Sequence, residues 1–146
     1  MYAVIIMVNS QNSQKIKSAP QIMVVDDETD ITLELSVVLE ENGFIVNSFN
    51  DPLLALENFK ADLYDLLILD IKMPRMNGFE LYKKIKKIDA KVKTMFLTAL
   101  TELQEYESFR KEVYPKLGER YFVPKPIENE ELIKRVNTIL SKIDFN

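Results

Sequence analysis

The chain is predicted to be an α/β domain built on an open parallel sheet, and three observations carry that prediction. Strand-like and helix-like segments alternate from Gln21 to Ile143. One of them, Leu66-Leu67-Ile68-Leu69-Asp70, is a continuous apolar run of strand length, the pattern of a strand buried on both faces. It ends in a carboxylate and then in the Pro and Gly loop Ile71-Lys72-Met73-Pro74-Arg75-Met76-Asn77-Gly78. Asp70 is thereby delivered to the C-terminal end of its strand, where open α/β sheets gather their chemistry. Parallel neighbours need a crossover, and crossovers are right-handed, so the alternation places helices on both faces.

Taken in order, residues 1–19 are expected to form a leader outside the core. Ala3 to Val8 is apolar, but it is short, has no preceding Lys or Arg, and falls far below the roughly 20 apolar residues that span a bilayer. The polar run Asn9-Ser10-Gln11-Asn12-Ser13-Gln14 follows. Alternatives for this stretch are an added edge strand or interaction arm from Tyr2 to Val8, and translation starting at Met7.

Ile22 to Val25 is the first predicted strand, ending in Asp26-Asp27-Glu28. Thr29 or Asp30 can cap the helix that runs to about Asn42, and Gly43 suits its stop. Phe44 to Phe49 is the second strand. Asn50-Asp51-Pro52 supplies a cap and a Pro at the first helical position, predicting a helix to about Lys60. After the third strand, Leu66 to Asp70, the helix from Asn77 to about Ile88 carries Phe79, Leu81, Tyr82, Ile85 and Ile88 at helical spacing. Lys83, Lys84, Lys86 and Lys87 form its solvated side. Val92 to Leu97 is the fourth strand, ending in Thr98-Ala99. A polar fourth helix is predicted over about 101–116, disrupted by Pro115. Tyr121 to Val123 is the fifth strand, closed by Pro124-Lys125-Pro126. An amphipathic fifth helix from Glu128 to about Ile143 has acids in its first turn.

Composition narrows the function. At 146 residues, 47% hydrophobic and 29% charged, the chain suits one globular core. It has no cysteine, hence no disulfide framework or thiolate metal site, and the composition is compatible with cytoplasm. A net charge of −4 and a pI near 5.0 argue against an electrostatic grip on nucleic acid. The absence of histidine removes the commonest general base and metal ligand, and any phosphohistidine within this chain.

The predicted topology brings Asp26, Asp27, Asp70, Thr98 and Lys125 to one edge of the sheet. Clustered carboxylates repel unless a cation compensates. Mg²⁺ does so with oxygen ligands, commonly one or two carboxylates plus a substrate phosphate. Lys125 supplies a compact positive charge and Thr98 a hydroxyl donor, both suited to phosphoryl oxygens.

At these residues the chain resembles the receiver domain of two-component response regulators, in its stand-alone, chemotaxis-type form. The resemblance covers about Gln21 to Ile143. It rests on Asp26-Asp27, on Leu69-Asp70 with Met73-Pro74, Met76 and Gly78, on Thr98-Ala99 and on Lys125-Pro126. It implies a flavodoxin-like three-layer sandwich with a five-stranded parallel sheet of order 2-1-3-4-5 and five helices, a receiver domain over 20–146 and no output domain. It further implies that Asp70 is the phosphoryl acceptor, with Lys125 and Thr98 completing the catalytic set. Asp27, Asp70 and the backbone carbonyl of Lys72 would ligate Mg²⁺ (or Mn²⁺), Asp26 acting directly or through water. Thr98 and Phe122 would be the switch pair, and the Lys125–Pro126 bond would be cis.

The implied partners are a sensor histidine kinase or phosphotransfer protein as donor and an unknown downstream protein. Direct contact with nucleic acid or membrane is not expected, and a homodimer through the fourth helix, fifth strand and fifth helix is. Lys72 and Leu100, two residues beyond Asp70 and Thr98, would obstruct an attacking water and slow dephosphorylation. The stretch between Thr98 and Lys125 is somewhat longer than the family's usual, and the leader has no counterpart in it.

Each residue alone has a plainer reading. Asp26-Asp27-Glu28 precedes a helix whose positive end acids stabilise, Thr98 ends a strand, Lys125 lies between prolines, and Phe122 suits a core. A haloacid dehalogenase-type phosphatase wants a second carboxylate where Lys72 stands. The remaining rival is a receiver-like module that binds partners without being phosphorylated.

Overall fold

The computed structural model describes residues 19–99, 107, 111 and 121–141. Its strands are β1 (Gln21–Val25), β2 (Ile45–Phe49), β3 (Leu66–Asp70), β4 (Lys93–Thr98) and β5 (Phe122–Pro124). Its described helices are α1 (Thr29–Glu41), α2 (Pro52–Asn58), α3 (Gly78–Ile88) and α4 (Asn129–Ser141), the last being the fifth helix of the sequence prediction. All strand pairs are parallel, in the order β2-β1-β3-β4-β5. The predicted leader apart from Ala19, the predicted helix over 101–116 apart from Glu107 and Lys111, and Leu100 lie outside the described residues. Among the described residues no helix is long and apolar enough to cross a membrane.

Side chains alternate across the sheet, so each central strand feeds two cores. One face carries Met23, Val25, Leu67, Leu69 and Phe96 against Ala55, Phe59, Leu81, Tyr82 and Ile85 of the α2 and α3 side. The other carries Ile22, Val24, Leu66, Ile68, Met95 and Leu97 against Leu35 and Leu39 of α1 and Leu132, Val136 and Ile139 of α4. All five β3 residues are buried, as a double-sided central strand requires. At about 25 cal/mol per Å² of apolar surface, these two layers supply most of what opposes chain entropy.

The ends of α1 show where local rules hold and where they yield. Its stop is a Schellman motif: the Gly43 amide donates to the Glu40 carbonyl and the Phe44 amide to the Leu39 carbonyl, both at 3.1 Å. Gly43 takes the positive φ of 91° that this motif demands. Its start departs from the prediction. Glu28, not Thr29 or Asp30, occupies the N-cap position, and it makes no side-chain cap. The Asp26 carboxylate instead accepts from the Glu28 amide at 2.9 Å, turning the chain into the helix one residue early. The other two caps follow their sequences. Asp51 accepts from the Leu53 amide with Pro52 in the first turn, and Asn77 forms a reciprocal capping box with Glu80.

Candidate functional site

Strand register decides which residues meet. Val25 lies opposite Leu69, so Asp26, the next residue, comes level with Asp70. Asp70 lies opposite Leu97, and Thr98 opposite Pro124, which brings Lys125 to the same edge. The Lys125 amide donates to the Thr98 carbonyl at 2.9 Å, and the Lys125–Pro126 bond is cis, as the family resemblance implied.

Carboxylate oxygens of Asp26, Asp27 and Asp70 all lie within 4.8 Å of one another. Asp26 and Asp70 are buried, at 0% and 3% exposure, while Asp27 faces solvent. The Lys125 ammonium sits between the two buried acids, 2.8 Å from Asp26 Oδ2 and 3.0 Å from Asp70 Oδ1, with the exposed Glu28 carboxylate 3.9 Å away. Burial pulls the Lys125 pKa down, but its hydrogen bond to Asp26 and the negative charges of Asp70 and Asp26 outweigh that, leaving it above the ordinary lysine value. A buried ion pair stands only when its remaining lone pairs are used. Here Asp26 Oδ1 accepts from the Glu28 amide and Asp70 Oδ1 from the Ile71 amide, each at 2.9 Å.

Three side chains offering only oxygen, two of them buried and one open to solvent, suit a hard divalent cation that keeps waters, and offer nothing to a soft metal. Thr98 is buried at the same edge, its hydroxyl donating to the Ala99 carbonyl at 3.1 Å. The Lys72 side chain is exposed. Phe122 belongs to the core, its ring stacked on Phe96 at 5.2 Å and 15°. Phe96 also meets Phe79 and Tyr82 edge-on, at 5.2 and 5.5 Å. A chain of ring contacts therefore runs from Phe122 on β5 through Phe96 on β4 to α3.

Three contributors escaped the sequence reading as site residues. The Asn50 amide donates to the Asp26 carbonyl at 2.8 Å and to the Thr32 hydroxyl at 3.0 Å, stitching the end of β2 to the acidic loop and to α1. Gly78, noticed only as part of a motif, lies where the loop after β3 folds back, its amide donating to the Ile71 carbonyl at 2.7 Å. A Cβ there would run into the backbone carbonyl of Asp70. Arg75, held at a positive φ of 73°, ties the same loop to α2 through a 2.9 Å ion pair with Asp51. No local sequence signal exists for Asn50. For Gly78, a glycine directly after a cap position was the available clue.

Comparison with known proteins agrees with this fold. The family model described as the response regulator receiver domain matches residues 22–137. A transcriptional regulatory protein CpxR homolog from Haemophilus influenzae is 36% identical over 122 residues, covering 84% of this chain and 51% of that protein. The chain thus spans about half the length of the curated relatives it matches. Among solved structures, the non-phosphorylated HemR receiver domain from Leptospira biflexa is similar with a TM-score of 0.73 and 28% identity, over 87% of this chain and 98% of that one. The response regulator TrrA from Thermotoga maritima, solved in complex with Mg(2+)-BeF, gives 0.65 and 30%, over 82% and 98%.

Proposed function

This chain belongs to the response regulator receiver domain family, and we propose that within it Asp70 accepts the phosphoryl group. Receiver domains take phosphoryl groups from histidine kinases and act on downstream partners. The observation that carries the residue assignment is the Lys125 ammonium held between the buried Asp26 and Asp70 carboxylates, with Asp27 beside them.

Asp26, Asp27 and Asp70 are the side chains that would hold Mg²⁺ (or Mn²⁺), with the Lys72 backbone carbonyl as a further ligand. Bound there, the ion would offset charge on the transferring phosphoryl oxygens. Asp70 uses a carboxylate oxygen to attack phosphorus in line. The bond to the donor breaks, and its electron pair stays with the donor, a histidine nitrogen of a partner or the acetate of acetyl phosphate. Lys125 exchanges one carboxylate contact for a phosphoryl oxygen, and the Thr98 hydroxyl turns from Ala99 to another. Positioning and electrostatics thus do the catalysis. The acyl phosphate biases a two-state element running through Thr98 and Phe122, whose ring already borders Phe96. Its output face would comprise β5, α4 and the 101–116 segment, across which two copies would pair. A cytoplasmic site of action follows from the same reading.

Incubation with acetyl phosphate and Mg²⁺ followed by intact-mass measurement tests the assignment. The parent should gain one phosphoryl group and Asp70→Asn should gain none. An equal gain in the variant, or none in the parent even with a cognate kinase, removes it and leaves a non-phosphorylated interaction module.

A further inference from the structure

Asp26 and Asp27 are adjacent in sequence but are held in different ways. The Asp26 amide donates to the Phe49 carbonyl at 3.1 Å, its Oδ1 accepts from the Glu28 amide, and its Oδ2 meets the Lys125 ammonium. Asp27 faces solvent, and among the described residues neither its amide nor its carboxylate has a hydrogen bond or ion pair. Yet that carboxylate lies within 4.8 Å of two others, where like charge pushes it outward. Its place in the cluster is therefore set through the backbone.

The backbone unit concerned is the peptide that joins the two aspartates. It carries the Asp26 carbonyl and the Asp27 amide in one plane, so a rotation of that plane swings the Asp27 side chain. Asn50, at the end of β2, holds the plane: its side-chain amide donates to the Asp26 carbonyl at 2.8 Å. The same nitrogen donates to the Thr32 hydroxyl at 3.0 Å, which uses both of its N–H groups. Thr32 is buried, and its hydroxyl donates in turn to the Thr29 carbonyl at 3.0 Å, so the Asn50 amide is anchored in the first turn of α1. We propose that Asn50 is a positioning residue for the metal site: by fixing the 26–27 peptide it keeps Asp27 turned toward Asp26 and Asp70, where the three can share one divalent ion. It acts through the peptide and is not itself a ligand. The inference rests on the reading of Asp27 as a metal ligand and adds the group that aims it.

Calorimetric titration of the full chain with Mg²⁺ tests it, in the parent and in Asn50→Ala, Thr32→Val, Asp27→Asn and Asn42→Ala. Asn50→Ala should raise the Mg²⁺ dissociation constant about fivefold, the scale of one net hydrogen bond. In phosphorylation by acetyl phosphate it should raise the half-saturating Mg²⁺ concentration by the same factor and leave the rate at saturating Mg²⁺ unchanged. Thr32→Val keeps the side chain's shape but removes the acceptor that orients Asn50, so it should weaken Mg²⁺ about twofold on its own and not at all in the Asn50→Ala background. Asn42→Ala deletes a comparable bond, from the Asn42 amide to the Val38 carbonyl at 2.8 Å, far from the acids, and should leave affinity unchanged. Parent-like affinity in both Asn50→Ala and Thr32→Val, with Asp27→Asn weakened, overturns the role of Asn50 and leaves the metal site standing. An equal loss in Asn42→Ala overturns it in favour of general destabilisation. Parent-like affinity in Asp27→Asn, or no binding by the parent, removes the metal-site reading and the proposal with it.

Discussion

Both ends of the sheet gather aspartates and lysines, yet they are built for different ends. At the N-terminal end, where β3 and β4 begin, the buried Asp89 accepts from the Asp62 and Lys91 amides at 2.9 and 3.0 Å, and Asp65 accepts from the Gln21 amide at 2.8 Å. These carboxylates brace turns around a cavity of about 270 Å³ lined by Asp62, Tyr64, Asp89 and Lys91. The nearest ion pair, Lys91 to Asp62 at 3.1 Å, is exposed on both sides. At the C-terminal end, Asp26 and Asp70 face each other, and what separates them is one ammonium. The contrast teaches that acid count does not mark a site. The mark is carboxylates turned toward one another with one lysine ammonium between them, and on the proposed reading that ammonium would give way in part to a metal and a phosphoryl group.

The largest effect expected from breaking this contrast is at Lys125. Lys125→Met leaves two buried carboxylates uncompensated, and stability to urea at neutral pH without divalent ions should fall by about 3 kcal/mol, toward the low end for a broken buried pair because the lysine is partly exposed. Mg²⁺ should then restore the variant more than it stabilises the parent, since bound ion would replace the missing charge. Equal responses to Mg²⁺ would contradict the picture of Lys125 as a stand-in cation.

A smaller effect is expected at Asp89, where burial raises the carboxyl pKa but the amides of Asp62 and Lys91 and the nearby lysines lower it further, leaving it below 3.8. Its folded-state pKa is depressed, so its contribution is present above about pH 4 and lost as pH falls through the folded value. Asp89→Asn should cost about 1 kcal/mol at pH 7, and the gap to the parent should close only below pH 4. Thermal melts across that range check it. Smallest of all, Lys91→Met should leave stability unchanged within error, because an exposed pair is screened by water and salt.

Much of this was legible in the sequence where the signal is local. β3 was read to its ends because a four-residue apolar run between Asp65 and Asp70 has one economical placement in a parallel sheet. The starts of α2 and α3 were readable because cap and helix are adjacent in sequence. The start of α1 was misplaced because the bond from the Glu28 amide to Asp26 replaces the cap that Thr29 or Asp30 would have supplied. Asn50 was invisible for a related reason: its partners Asp26 and Thr32 become neighbours only after β2 has docked on β1. Asp70 and Lys125 could be brought to one edge despite their separation because Asp70 ends β3 and Lys125 directly follows β5, and register does the rest.

The central claim is that the phosphoryl group arrives on Asp70, and trapping it is the most direct test. After acetyl phosphate and Mg²⁺, borohydride reduces an aspartyl phosphate to homoserine, and peptide mass spectrometry locates the change. The account predicts conversion at Asp70 that disappears when the metal is chelated. Conversion at Asp26 or Asp27, or none at Asp70 in a chain whose intact mass has risen, would contradict it.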